Sequence, residues 1–127
     1  MRAVIVTPKE PGSGQLVEVP DPEPRDGEVL VRVQEVGLDG TDDEILQGQY
    51  GEAPPGDDYL IIGHESLGRV EKVMGGATGL SPGDRVVAIV RRPDPVPCRN
   101  CAVGEWDMCL NGQYTERGIK GTQSRGR

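Results

Sequence analysis

The chain has no phenylalanine and one histidine in 127 residues, and its aromatic share is 3%. An interior built without Phe must rely on Val, Ile and Leu. No apolar run approaches the roughly 20 residues of a membrane-spanning helix, and Met1-Arg2-Ala3-Val4 leads into a short β-type run, unlike a secretory leader. Basic charge is also scarce. Fourteen Lys and Arg face twenty-one Asp and Glu, for a net charge of −7, and the cations stay scattered until Arg125-Gly126-Arg127. Phosphate contacts need clustered cations, so nucleic acid is not an expected partner, nor is a membrane. Three cysteines make no disulfide framework; in a reducing compartment they read as metal ligands or inert thiols. The expectation is a cytoplasmic protein.

What is abundant is punctuation. Nineteen glycines and eleven prolines cut the chain into short pieces, which suits a β architecture of one domain. Short strands are expected at Arg2–Thr7, Leu16–Val19, Tyr59 through Leu67–Val73, and Arg85–Val90, with Glu28–Val36 the clearest. In the last, Val29, Val31 and Val33 share one face and Arg32 and Gln34 the other. Thr41-Asp42-Asp43-Glu44 reads as a capping box with Thr41 as N-cap, opening a helix of about two turns that Gly48 ends. From Pro93 to Gly118 the chain is expected to be irregular, and it holds every cysteine. The final residues, from Ile119 on, show no apolar period and read as a loop, so the chain is expected to be a fragment of something longer.

Three groups of residues could carry chemistry. Asp39, Thr41, His64 and Glu65 surround two turns, and carboxylate and imidazole are both zinc ligands. Neighbours on a strand point to opposite faces, so Glu65 would be an outer or intermittent ligand unless the strand bends. Equally, His64 could be a buried structural histidine, Asp39 a turn residue and Thr41 only a cap. Cys98-Arg99-Asn100-Cys101 followed by Cys109 is plausible tetrahedral zinc spacing lacking a fourth ligand, for which Asp94 or water is near; the other reading is a decayed site with reduced thiols. Arg91, Arg92 and Glu116 read on their own as solvated surface charge.

Gly63-His64-Glu65-Ser66-Leu67-Gly68, with Pro82-Gly83-Asp84-Arg85-Val86 downstream, resembles the zinc signature of the medium-chain dehydrogenase/reductase superfamily. The cysteines fall where that family keeps a structural zinc lobe, and Gly37-Leu38-Asp39-Gly40-Thr41-Asp42 is similar to its first metal-ligand turn. Within the family the chain is most similar to the archaeal-type glucose (aldose) dehydrogenases, by Asp39-Gly40-Thr41-Asp42, Val90-Arg91-Arg92-Pro93 and Glu116-Arg117-Gly118-Ile119, over about residues 1–121.

The resemblance implies a mainly β, GroES-like, partly open barrel with short helices and an irregular cysteine-containing lobe at about residues 93–118, residues 1–127 forming an N-terminal catalytic domain. It implies catalytic zinc on Asp39, His64 and the neighbouring carboxylate Glu65, structural zinc on Cys98, Cys101 and Cys109, a proton relay at Thr41, and a sugar contact at Glu116. The implied substrate is a sugar or polyol, with hydride passing to NAD or NADP in a homo-oligomeric full-length enzyme. A general alcohol or polyol dehydrogenase and a non-catalytic metal-binding scaffold are the competing expectations. Met74 stands where the signature has Gly or Ala, Val90 where some relatives offer an amide, and Pro95 where the family has the first of four lobe cysteines. No Gly-x-Gly-x-x-Gly follows a strand anywhere, so the nucleotide-binding Rossmann domain is absent from this chain, and the chain by itself is expected to be inactive and prone to self-association.

Overall fold

Strand β1 (Arg2–Val6) lies at the centre of a three-stranded antiparallel sheet, between β2 (Gln15–Glu18) and β4 (Leu60–Ile61). The computed structural model describes residues 1–76, 79–94 and 96–121. A second sheet is built on β5 (Glu65–Val73), which pairs on one side with β3 (Val29–Gly37) and on the other with β6 (Arg85–Val87). The third is a two-stranded pair of β7 (Arg91–Arg92) and β8 (Thr115–Glu116). One α-helix, α1 (Gly40–Leu46), and two single-turn 3-10 helices, Cys101–Val103 and Trp106–Met108, complete the described elements. The architecture is mainly β with open sheets, as the composition implies.

The core is small, as a chain without Phe requires. Val6 of β1, Ile45 of α1, Leu60 of β4 and Ile119 form one buried cluster, flanked by Leu46, Ile62 and Val90. Burying each such aliphatic side chain is worth roughly 1.5–3 kcal/mol, so this cluster fixes α1 against the first sheet. The 119–121 segment is held there by backbone bonds, Glu52 N–H to Ile119 O at 3.1 Å and Gly121 N–H to Glu52 O at 3.2 Å.

Several local expectations are corrected. The β3–β5 ladder shifts register between Leu30 and Val31 and between Val33 and Glu35, so simple alternation fails and Val33 is exposed. The run from Tyr59 to Val73 divides into β4 and β5, because Gly63 adopts φ +106°, a left-handed conformation that turns the chain between them. The strand expected through Val90 stops at Val87, and the segment after Pro93 is not wholly irregular: Thr115–Glu116 pairs with Arg91–Arg92. The helix cap also moves. Asp39, not Thr41, is the N-cap, and the capping box is completed by Asp42 instead of Glu44. A carboxylate on an extended residue (φ −132°, ψ −172°) reaches two free N–H groups at once, which Thr41, already inside the helix, cannot do. The expectations for Pro95 and for residues 122–127 lie outside the described residues.

Candidate metal and substrate site

Asp39 sits where β3 ends and α1 begins, and the capping geometry fixes its carboxylate. Oδ1 accepts from Thr41 N–H at 2.8 Å and Asp42 N–H at 3.3 Å, while Oδ2 accepts from the Thr41 hydroxyl at 3.4 Å and lies 3.6 Å from His64 Nε2. Burial pushes the Asp39 carboxyl up, but the N–H bonds from Thr41 and Asp42, attraction to a protonated His64 and the Thr41 hydroxyl outweigh it, and the net shift is downward. The acid is therefore held in its anionic, ligand-ready form.

His64 follows Gly63 and precedes the first residue of β5, so it is not yet on the strand that carries Glu65. The turn at Gly63 removes the alternation that would set the two side chains on opposite faces. One ligand atom each from Asp39, His64 and Glu65 lies within 4.8 Å of the others. Gly37 makes room for this: a Cβ there would overlap the Glu65 carboxylate. Glu65 is thus nearer to a common ion than strand geometry alone suggests. An open cleft of about 400 Å³ adjoins the group, its lining including His64, Glu65, Leu67, Val87, Ala88 and Val90. Apolar side chains together with a few polar groups are the usual make-up of a small-molecule site.

Sequence reasoning passed over Asp42. It is 2% exposed; its Oδ2 accepts from Asp39 N–H at 3.1 Å, and its Oδ1 faces His64 Nδ1. A signal existed: Asp42 is three and four residues before Ile45 and Leu46, so a charged residue stands on the apolar face of the helix.

The cysteines gather as well. The sulfurs of Cys98, Cys101 and Cys109 lie within 4.8 Å of one another and form no disulfide. Asn100 Nδ2 donates to Met108 O at 2.7 Å and closes the loop between the two 3-10 turns. Bonds from the backbone N–H of Leu110 (3.4 Å) and of Cys101 lower the Cys98 pKa to about 6. For Cys101 the Asp94 N–H bond acts downward, but burial and the neighbouring thiols Cys109 and Cys98 outweigh it and leave the pKa raised. Asp94 is buried, with Oδ1 on Val96 N–H at 2.9 Å and Oδ2 without a hydrogen-bond partner among the described residues.

Arg91 and Glu116 are not solvated surface charges. They are direct partners across the β7–β8 pair, Glu116 is 8% exposed, and the guanidinium donates to its carboxylate at 2.6 and 3.0 Å. The chain around β8 packs on the turn before His64: a Cβ on Gly118 would collide with the Gly63 carbonyl, and Arg117 N–H bonds Val90 O at 3.1 Å.

Residues 25–126 match the family model of the alcohol dehydrogenase GroES-like domain. The chain belongs to that family. It is 50% identical over 121 residues, 95% of its length, to a glucose 1-dehydrogenase of Methanocella arvoryzae, of which this covers 34%. It is 49% identical, again over 95% of its length, to a glucose 1-dehydrogenase of Thermoproteus tenax, covering 33% of it. Among solved structures, Haloferax mediterranei glucose dehydrogenase in complex with NADP, zinc and gluconolactone superimposes with a TM-score of 0.83 at 39% identity, over all of this chain and 35% of that one. A cobalt- and zinc-bound thermostable alcohol dehydrogenase from Pyrobaculum aerophilum gives 0.77 at 33% identity, over 98% of this chain and 36% of that one. The chain spans about a third of the length of the curated relatives it matches. No described helix of this GroES-like domain is long and apolar enough to cross a membrane.

Proposed function

We propose that this chain is the zinc-binding catalytic domain of an NAD- or NADP-linked dehydrogenase that oxidises an aldose, glucose being the first candidate. The observation that carries the reading is the convergence of Asp39, His64 and Glu65 within 4.8 Å beside an open cleft, in a chain about half identical to glucose 1-dehydrogenases. One imidazole and two carboxylates form a donor set that fits zinc, with less softness than a thiolate set. Bound there, Zn²⁺ would polarise the substrate hydroxyl and lower its pKa.

The chain's own residues do the rest. His64 presents Nε2, and Asp39 presents Oδ2 while its Oδ1 caps the helix. The Thr41 hydroxyl donates to Asp39 Oδ2 at 3.4 Å and serves as the relay: Oγ1 takes up the substrate's hydroxyl proton and releases its own toward water. A bound nicotinamide would accept the substrate's carbon-bound hydrogen as hydride. Glu116 accepts from a sugar hydroxyl. Cys98, Cys101 and Cys109 would hold a structural zinc. The three unpaired thiols suit a reducing, cytoplasmic setting, and we take the whole enzyme to be a homo-oligomer with its Rossmann domain outside residues 1–127.

Zinc per chain by elemental analysis tests this, on wild type, His64→Ala, and a variant with all three cysteines changed to serine. Loss of one equivalent in His64→Ala supports the site; equal zinc in wild type and His64→Ala refutes it. A second reading, a general alcohol dehydrogenase, is favoured by the match to the Pyrobaculum enzyme. Turnover of glucose against simple alcohols by the whole enzyme separates the two.

A further inference from the structure

Glu116 is a carboxylate with one oxygen committed and the other open. Arg91 Nε and Nη2 both donate to Oε1, at 3.0 and 2.6 Å, and among the described residues Oε2 accepts no hydrogen bond. A guanidinium facing a carboxylate usually engages both oxygens side by side; here the fork closes on one. The guanidinium and the residue that carries it are held at three further places. Its Nη1 donates to the Asp107 carbonyl at 2.9 Å, in the 3-10 turn just before Cys109, its face lies 4.1 Å from the Tyr114 ring centre, and its backbone is paired with Glu116 across β7 and β8.

We propose that Arg91 is a positioning residue for sugar binding, clamping Glu116 by Oε1 so that Oε2 is presented, already oriented, to a substrate hydroxyl. This rests on the reading of Glu116 as a sugar contact. An acceptor fixed before binding loses no rotamer freedom when the sugar arrives. The segment also stands in the right place: Val90, next to Arg91, lines the cleft beside His64, and Gly118, two residues after Glu116, packs on Gly63. The competing role for the pair is to staple β7 to β8 and nothing else.

The test is a double-mutant cycle in the whole enzyme, with Arg91→Gln, Glu116→Gln and the pair. Each single change should raise the KM for glucose about tenfold, with kcat altered less than about threefold and the cofactor KM unmoved. The double variant should be no worse than Glu116→Gln alone, since Arg91 acts through that carboxylate. Multiplying effects, or an Arg91→Gln enzyme with an unaltered glucose KM, overturns the clamp and leaves the sugar contact standing. An unaltered KM in Glu116→Gln overturns the sugar contact and the clamp with it. If Arg91→Gln loses zinc or its melting transition, Arg91→Lys decides. A folded Lys variant must still show the raised, non-additive glucose KM, because an ammonium cannot span Oε1 and the Asp107 carbonyl together; a normal KM there also refutes the proposal.

Discussion

His64 Nδ1 and Asp42 Oδ1 lie 3.7 Å apart, both buried and neither with a hydrogen-bond partner among the described residues. The gap is too long for a hydrogen bond, yet it sets a carboxylate oxygen opposite the ring nitrogen that is not the one near Asp39. A histidine that gives Nε2 to a metal keeps its proton on Nδ1, where a carboxylate can accept it and fix the ring.

Asp42→Asn should therefore weaken zinc binding about ten- to a hundredfold without removing any direct ligand. Chelator competition on wild type and variant measures it, and an unchanged dissociation constant would show that Asp42 serves only the helix cap.

Asp39→Cys should act in two directions. A thiolate holds zinc more tightly than a carboxylate, so metal loss should slow. The metal-free protein should melt lower, because α1 loses a cap worth about 1 kcal/mol. Zinc dissociation and apo melting, measured together, check both signs; a variant with unchanged zinc affinity contradicts the first.

Gly118→Ala combines a left-handed backbone, φ +78°, with a collision against the Gly63 carbonyl. A loss of roughly 2 kcal/mol or more is expected, with weaker zinc at His64 because the turn before it must shift. Denaturant unfolding and zinc content report the two effects.

Thiol chemistry gives a pH-dependent test. With its pKa lowered to about 6, Cys98 in metal-free protein should alkylate at a rate that climbs from pH 5 to 7 and then levels, whereas an ordinary cysteine keeps climbing toward pH 9. The sign follows from the thiolate being the nucleophile: lowering pH through 6 protonates it and slows the reaction. A midpoint above 8, by peptide mapping, would mean that the Leu110 and Cys101 N–H groups do not stabilise the anion.

Much of this was legible in the sequence. Periodicity found β3, and turn residues placed most boundaries. The residue types at Asp39, His64, Glu65 and the cysteines pointed to metal. What escaped has physical reasons. The cap was misplaced by two residues because Asp and Thr both cap well, and only backbone conformation chooses between them. Strand alternation made Glu65 an outer or intermittent ligand, because the bend that brings it near His64 depends on the φ of Gly63. Arg91 and Glu116 looked solvated because 25 residues separate them, and a pairing across that distance leaves no local pattern.

The small core has a further consequence. Asp39 opens the helix that carries Ile45, His64 follows the strand that carries Leu60, and Gly118 directly precedes Ile119. The candidate ligands Asp39 and His64 hang from the same few side chains that hold the chain folded. A metal seated among them would act as a crosslink between segments distant in sequence, so chelator concentration should titrate the melting temperature of the domain: binding and folding become one equilibrium.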